Sequence, residues 1–314
     1  MKILVTGGAG FIGTNFISRV LELKPNWNVV AYDSCTYASN EDAVRELGVK
    51  LVKADIRDKD RLMAESKGFD AILHLAAESH NDNSLRDPSK FFSVNVLGTE
   101  VVAAVALQRE IRMHHVSTDE VFGDTAVEST DEFDTMTGYN PSSPYSASKA
   151  ASDFVVRSYV RSFGLNATIS NCSNNWGIYQ HWEKLIPNTI RSVLEGRRPS
   201  VYGTGKNVRD WLSVVDHCDG LLLALEKLKP GETALFGARD RISNLELVMQ
   251  ILVSMGKPES HFNFVEDRPG HDRRYAIDPT SALEKLGWSA KEGKILNSID
   301  NLISHYSKAF ERVK

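Results

Sequence analysis

Short apolar runs alternate with amphipathic ones through the first half of the chain. The runs Lys2–Thr6, Asn28–Asp33, Lys50–Ala54, Ala71–Ala76, Met113–Ser117 and Ala167–Ser170 read as buried strands. Between them, helical spacing predicts Thr14–Lys24, Asp60–Glu65, Pro88–Glu110 and Pro144–Phe163. Strand and helix in turn predict an α/β fold with a doubly wound parallel sheet, which binds ligands at the carboxyl ends of its strands. Beyond residue 170 the rhythm loosens into a polar loop (Asn171 to Gly177), a short strand at Ser200–Tyr202 and further helices. Those helices are expected at Leu185–Glu195, Val214–Leu228, Asn244–Met255, Thr280–Leu286 and Ile295–Arg312. The pattern divides the chain into a nucleotide-binding domain over 1–170 and a smaller C-terminal α/β substrate-binding domain over 171–314. A segment near 210–230 is expected to return to the first domain.

The junction after the first strand carries the most information. Ile3, Leu4 and Val5 run into Gly7, Gly8, Gly10 and Gly13, and then into an amphipathic helix. Glycine permits the tight turn and lets backbone amides approach a pyrophosphate at the positive end of that helix. Asp33 ends the second strand at the distance where an acid binds adenosine ribose hydroxyls and repels a 2′-phosphate, which favours NAD over NADP.

Bulk properties narrow the classes. A chain of 314 residues with formal net charge −4 has no general attraction for nucleic acid or an anionic membrane, so any anion site must be built locally. Cys35, Cys172 and Cys218 lie far apart, which argues against a disulfide framework or a metal site and fits a reducing compartment. A strand opening at residue 2 leaves no room for a signal peptide, and no apolar run is expected to approach membrane-spanning length. The expectation is a cytoplasmic protein without metal, nucleic-acid or membrane partners.

Two further clusters carry chemistry. Tyr145 and Lys149 lie on one helical face, where an ammonium lowers a phenol's pKa and makes it a candidate base. Asp119 and Glu120 follow a buried strand directly, where adjacent acids are costly to leave unpaired. A surface Tyr–Lys pair and a polar turn are the bland alternatives.

Together these features resemble the extended short-chain dehydrogenase/reductase superfamily, over essentially the whole chain, and so imply a Rossmann sheet. Ser117-Thr118-Asp119-Glu120-Val121-Phe122-Gly123 is similar to the segment of the nucleotide-diphosphate-hexose 4,6-dehydratases, above all those acting on dTDP-glucose. Ser173 to Gly177, Glu183 to Pro187, Arg209 to Leu212, Val215 to His217 and Asp267 to Tyr275 extend the resemblance in the family's order. It implies cofactor contacts at Gly7, Gly10, Phe11, Ile12, Gly13, Asp33, Ser34, Thr36, Asp55, Ile56, Leu75, Ala76, Ala77, Ser79, Asn95, Tyr145, Lys149 and Asn175. It implies substrate contacts at His80, Thr118, Asn174, Lys184, Leu185, Val201, Tyr202, Arg209, Asn244, Arg268 and His271, with Arg209 meeting the diphosphate.

The same resemblance implies a reaction. Tyr145, helped by Lys149, takes the O4 proton while C4 gives hydride to NAD, and Thr118 bonds the same oxygen. Glu120 then removes the C5 proton, Asp119 protonates the departing C6 hydroxyl, and hydride returns to C6. Two places depart from the family's pattern: His80-Asn81-Asp82-Asn83-Ser84 stands for a His-Val-Asp-Arg-Ser run, and Tyr179-Gln180-His181-Trp182-Glu183-Lys184 for Tyr-His-Phe-Pro-Glu-Lys. The segment from Gly123 to Tyr145 is also short. UDP-glucose or another nucleotide hexose therefore stays open as substrate, and a sugar-nucleotide 4-epimerase or a non-catalytic NAD sensor remains as an alternative. A homodimer is expected, built on helices Pro88–Glu110 and Pro144–Phe163 through residues such as Val101 to Val105, Ala150, Ala151, Phe154 and Val155, unless these are buried within one subunit.

Overall fold

Seven parallel strands form the large sheet of the computed structural model, which describes residues 1–313. Their order across the sheet is Thr233–Phe236, Ala167–Cys172, Arg112–Thr118, Ala71–His74, Lys2–Thr6, Asn28–Asp33, Lys50–Lys53. The direction of winding reverses between Lys2–Thr6 and Ala71–His74, which opens a crevice at their carboxyl ends. Both faces are covered, so the strands are apolar on both sides. Ile3 and Val5 pack on one layer with Phe16, Ile17, Leu221 and Leu225, from helices Phe11–Leu23 and Val214–Lys227. Leu4 points the other way, onto Leu62, Val102, Val105 and Val156 from helices Lys59–Glu65, Gly98–Arg109 and Pro144–Phe163. This is the Rossmann sheet the sequence predicts.

Several elements differ from expectation. The strand expected to end at Ser117 runs to Thr118, where Asp119–Phe122 form a short 3-10 turn. Thr233–Phe236, unpredicted, pairs with Ile169 to Cys172 at the sheet edge, and Val214–Lys227 packs below it. Val208–Ser213 is a strand although it contains Arg209 and Asp210, because Asp210 is satisfied by the amides of Ala238 and Asp240. It joins Asn174–Trp176 and Arg241–Ser243 in a three-stranded sheet, while Ser200–Tyr202 pairs with Asn263–Val265. A separate core of Trp176, Ile186, Ile190, Trp211, Leu247, Ile251, Ile299 and Leu302 holds this part together.

Pro88 to Arg109 is one continuous helical stretch with a π-helical segment at Phe92–Leu97. It is 22 residues long and apolar enough to cross a bilayer, contrary to the expectation that no run approaches that length. Val102, Ala103, Val105 and Ala106 are fully buried against the sheet, so its apolar face is spent on the core.

Candidate active site

Gly7 has φ +70°, and a Cβ there would lie 2.7 Å from the Ala76 amide nitrogen. Glycine is thus required both by the turn and by the loop that follows the fourth strand. At Gly13 a Cβ would collide with the Gly7 carbonyl oxygen. Gly10 begins helix Phe11–Leu23 without any side-chain cap, leaving its first-turn amides to a ligand. Asp33 accepts from Ala9 N at 3.0 Å and Cys35 N at 2.8 Å, which orients its carboxylate at the rim. Burial raises the Asp33 pKa, and those two amides oppose the rise. Ser34, Thr36, Asp55, Ile56, Leu75, Ala76, Ala77 and Ser79 line the same cleft. The cradle has the shape and donors for a dinucleotide with free ribose hydroxyls.

The cleft continues to Thr118, Asp119, Glu120, Tyr145 and Lys149. A reciprocal cap at Ser143 and Ser146, with Pro144 at the first position, starts the helix that presents Tyr145 and Lys149. Lys149 Nζ donates to Val116 O at 2.9 Å, and burial lowers its pKa to about 8. Tyr145 differs from expectation: burial, followed by the Glu120 charge, pushes its hydroxyl well above the usual range, and a Thr118 hydrogen bond only partly opposes this. Asp119 is 2% exposed with Oδ2 buried and unpartnered. Burial first and the Glu120 charge second push its pKa well above normal, toward the protonated form. Glu120 accepts from Asn81 Nδ2 at 2.8 Å. Adjacent carboxyls therefore occupy unlike surroundings, the arrangement needed for one to act as acid and the other as base.

The structure gathers the five candidate catalytic residues and every expected cofactor residue except Asn95 into this one cleft. Asn95 sits behind the wall, exchanging hydrogen bonds with the Glu78 backbone and donating to Ser148 Oγ at 2.8 Å. Of the expected substrate residues, Thr118, Asn174 and Lys184 line the cleft, and Asn174 Oδ1 is buried without a partner. Outside its lining are His80, Leu185, Val201, Tyr202, Arg209, Asn244, Arg268 and His271. Val201 belongs to a small apolar core, and Leu185 and Asn244 open helices. Arg209 is 4% exposed, donates to the Val208 and Asp272 carbonyls, and lies 4.3 Å over the Tyr275 ring. Tyr202 and Arg268 converge on Asp82, at 2.8 and 3.3 Å, and His271 pairs with Asp267.

A model of the GDP-mannose 4,6 dehydratase family matches residues 4–295. A dTDP-glucose 4,6-dehydratase of Mycolicibacterium smegmatis is 45% identical over 311 residues, covering 98% of this chain and 93% of its own. The chain belongs to the dTDP-glucose 4,6-dehydratase family. DesIV, a dTDP-glucose 4,6-dehydratase of Streptomyces venezuelae solved with NAD bound, superposes with TM-score 0.95 at 38% identity, covering 99% of this chain and 98% of that one. A UDP-glucose 4-epimerase of Thermus thermophilus, in complex with NAD, reaches 0.89 at 26% identity, covering 98% and 100% of the two chains. Backbone shape is thus shared with epimerases, and side chains must separate the activities.

In this dehydratase-family site, sequence reasoning left out several residues. Lys90 lines the cleft and pairs with Glu78 at 2.7 Å. Asp153, one turn beyond Lys149, is fully buried against His115 Nε2 at 3.1 Å, Tyr139 Oη at 2.8 Å and Asn171 Nδ2 at 3.2 Å, and its charge supports the Lys149 ammonium. Helical spacing after Lys149 was the available signal. Tyr275 Oη lies 3.4 Å from Glu120 Oε2, a contact between distant segments with no local signal.

Proposed function

We propose that the chain converts dTDP-glucose to dTDP-4-keto-6-deoxyglucose with NAD bound in the cradle formed by Gly7, Gly10, Gly13, Asp33 and Asp55. The unlike environments of Asp119 and Glu120, beside Tyr145, carry this reading. NAD held in that cradle would supply a hydride acceptor for C4 and donor for C6, and a positive charge that lowers the cost of ionising Tyr145. Tyr145 takes the proton from O4, Thr118 donates a hydrogen bond to the same oxygen, and the Lys149 ammonium supports the tyrosine's charge. The resulting ketone acidifies C5, where Glu120 removes the proton and later returns a solvent-exchanged one as C6 is reduced. Asp119, whose carboxyl is pushed toward its protonated form, delivers its proton to the departing O6, so elimination produces water rather than hydroxide. An epimerase needs Tyr145 and Lys149 but has no work for the two acids.

Residues 1–170 with the returning elements 214–236 form the cofactor part in this reading, and the remainder binds the nucleotide sugar. A cytoplasmic homodimer is part of the same proposal. Val102, Ala103, Val105 and Ala150, expected at the interface, are buried within the subunit, whereas Leu97, Phe154 and Phe163 are 61, 57 and 61% exposed. These exposed groups on the two helices are the surface a second copy would cover.

The test is turnover of dTDP-glucose beside UDP-glucose, with and without added NAD, in deuterated water. A 4-keto-6-deoxy product labelled at C5 is expected, fastest with dTDP-glucose. Binding of both without a keto product would overturn the reading.

A further inference from the structure

The departure at 80–84 places an amide against the candidate base. Asn81 Nδ2 donates to Glu120 Oε2 at 2.8 Å, and Asn81 Oδ1 accepts from Ser143 Oγ at 2.8 Å. This orientation of the amide suits both neighbours: a carboxylate needs a donor, and the Ser143 hydroxyl, which accepts from the Ser146 amide at 3.1 Å, has its proton free for Oδ1. Ser143 is the cap of the helix bearing Tyr145 and Lys149. One side chain therefore ties the carboxylate of Glu120 to the start of that helix. The next residue, Asp82, is held by Tyr202 and Arg268 from the smaller part of the molecule, so the turn is fixed from both sides.

We infer that Asn81 is a positioning residue for Glu120, orienting its carboxylate for proton removal; the inference rests on the dehydratase reading above. Tyr275 Oη lies 3.4 Å from the same oxygen, Oε2, but its hydroxyl donates at 2.5 Å to Asp272 Oδ2. Among the described residues Oε1 accepts no hydrogen bond, and it is the oxygen left to take a proton. Charged and titratable groups facing Glu120 come from every neighbouring element: Asp119 beside it, Tyr145 on the capped helix, Lys184 across the cleft, and Tyr275 with Asp272 from the C-terminal segment. Asp119 and Asp272 are both shifted toward their neutral forms, so the Asn81 amide is a neutral donor in a cluster where added negative charge is resisted.

Three proteins decide it: the wild type, Asn81→Val and Asn81→Asp. The aspartate keeps the shape and the acceptor for Ser143 but replaces the donor facing Glu120. A hydrogen bond to a charged group of this kind predicts that Asn81→Val slows C5 solvent exchange by about 10–100-fold, with KM and C4 oxidation changed by less than about 3-fold. The acid limb of the C5-exchange pH profile should move upward in Asn81→Val and further in Asn81→Asp. Carbon-13 NMR of the Glu120 carboxyl, assigned by its loss in Glu120→Gln, should show the same two upward shifts in protein without substrate. Parallel loss of every step together with a lower melting temperature, or an unmoved Glu120 titration, would overturn the assignment. Since the NMR titration needs no turnover, it remains decisive even if no hexose reacts, and that failure would strike the dehydratase reading alone.

Discussion

Asp119 and Glu120 are joined by one peptide bond, yet Asp119 Oδ2 is buried without a partner while Glu120 Oε2 accepts from Asn81 at 2.8 Å. Both stand in the short 3-10 turn after the strand ending at Thr118 and line the same cleft, Asp119 buried and Glu120 partly so. Two neighbouring carboxyl groups thereby stand in unlike surroundings.

Asp119→Asn keeps the size of the buried group but removes its transferable proton. C4 oxidation and C5 exchange should persist, while water elimination falls by about 10²–10⁴-fold. Rapid-quench separation of the 4-keto-glucose intermediate from the final product checks this, and equal loss of all steps would count against Asp119 as the acid.

Glu120→Gln should leave C4 oxidation detectable and reduce deuterium incorporation at C5 by about 10²–10⁴-fold. Mass spectrometry of substrate recovered from deuterated water reads the exchange directly. If label enters C5 at the wild-type rate, another group is the base.

Lys149→Met should abolish turnover and stabilise the fold. The lysine's folded pKa is about 8 against an ordinary 10.5, so burial of its charge destabilises the protein wherever both states are protonated. That cost is fully present below pH 8, about 3 kcal/mol at most, and fades as pH rises from 8 to 10.5. The variant's advantage in urea midpoint should therefore be present at pH 7 and shrink above pH 8. A variant less stable than wild type at pH 7 would show that the bond to Val116 O outweighs the buried charge.

Gly13→Ala puts a methyl group against the Gly7 carbonyl, which cannot yield without moving the turn. NAD affinity should drop by at least about 10-fold and stability by about 1–3 kcal/mol. Calorimetric titration and urea unfolding measure the two effects, and unchanged NAD binding would remove Gly13 from the cradle.

The repeating apolar runs determined the large sheet, because a parallel strand buried on both faces has to be apolar at Ile3, Leu4 and Val5 alike. Glycine spacing, Asp33 and the Thr118 to Glu120 triplet were equally legible, since each is a local feature whose chemistry depends on residues a few positions apart. Val208–Ser213 and Thr233–Phe236 were not: one is a strand only because Asp210 finds the Ala238 and Asp240 amides, and the other takes its place from pairing with the distant segment Ile169 to Cys172. Tertiary structure also decided what the polar residues do. It spent Asn95 on Glu78 and Ser148, stacked Arg209 over Tyr275, and set Asn81 against Glu120 from thirty-nine positions away. Hydrophobic patterning is a property of neighbours along the chain, whereas a buried polar group takes its partner and its protonation state from whatever the fold brings beside it.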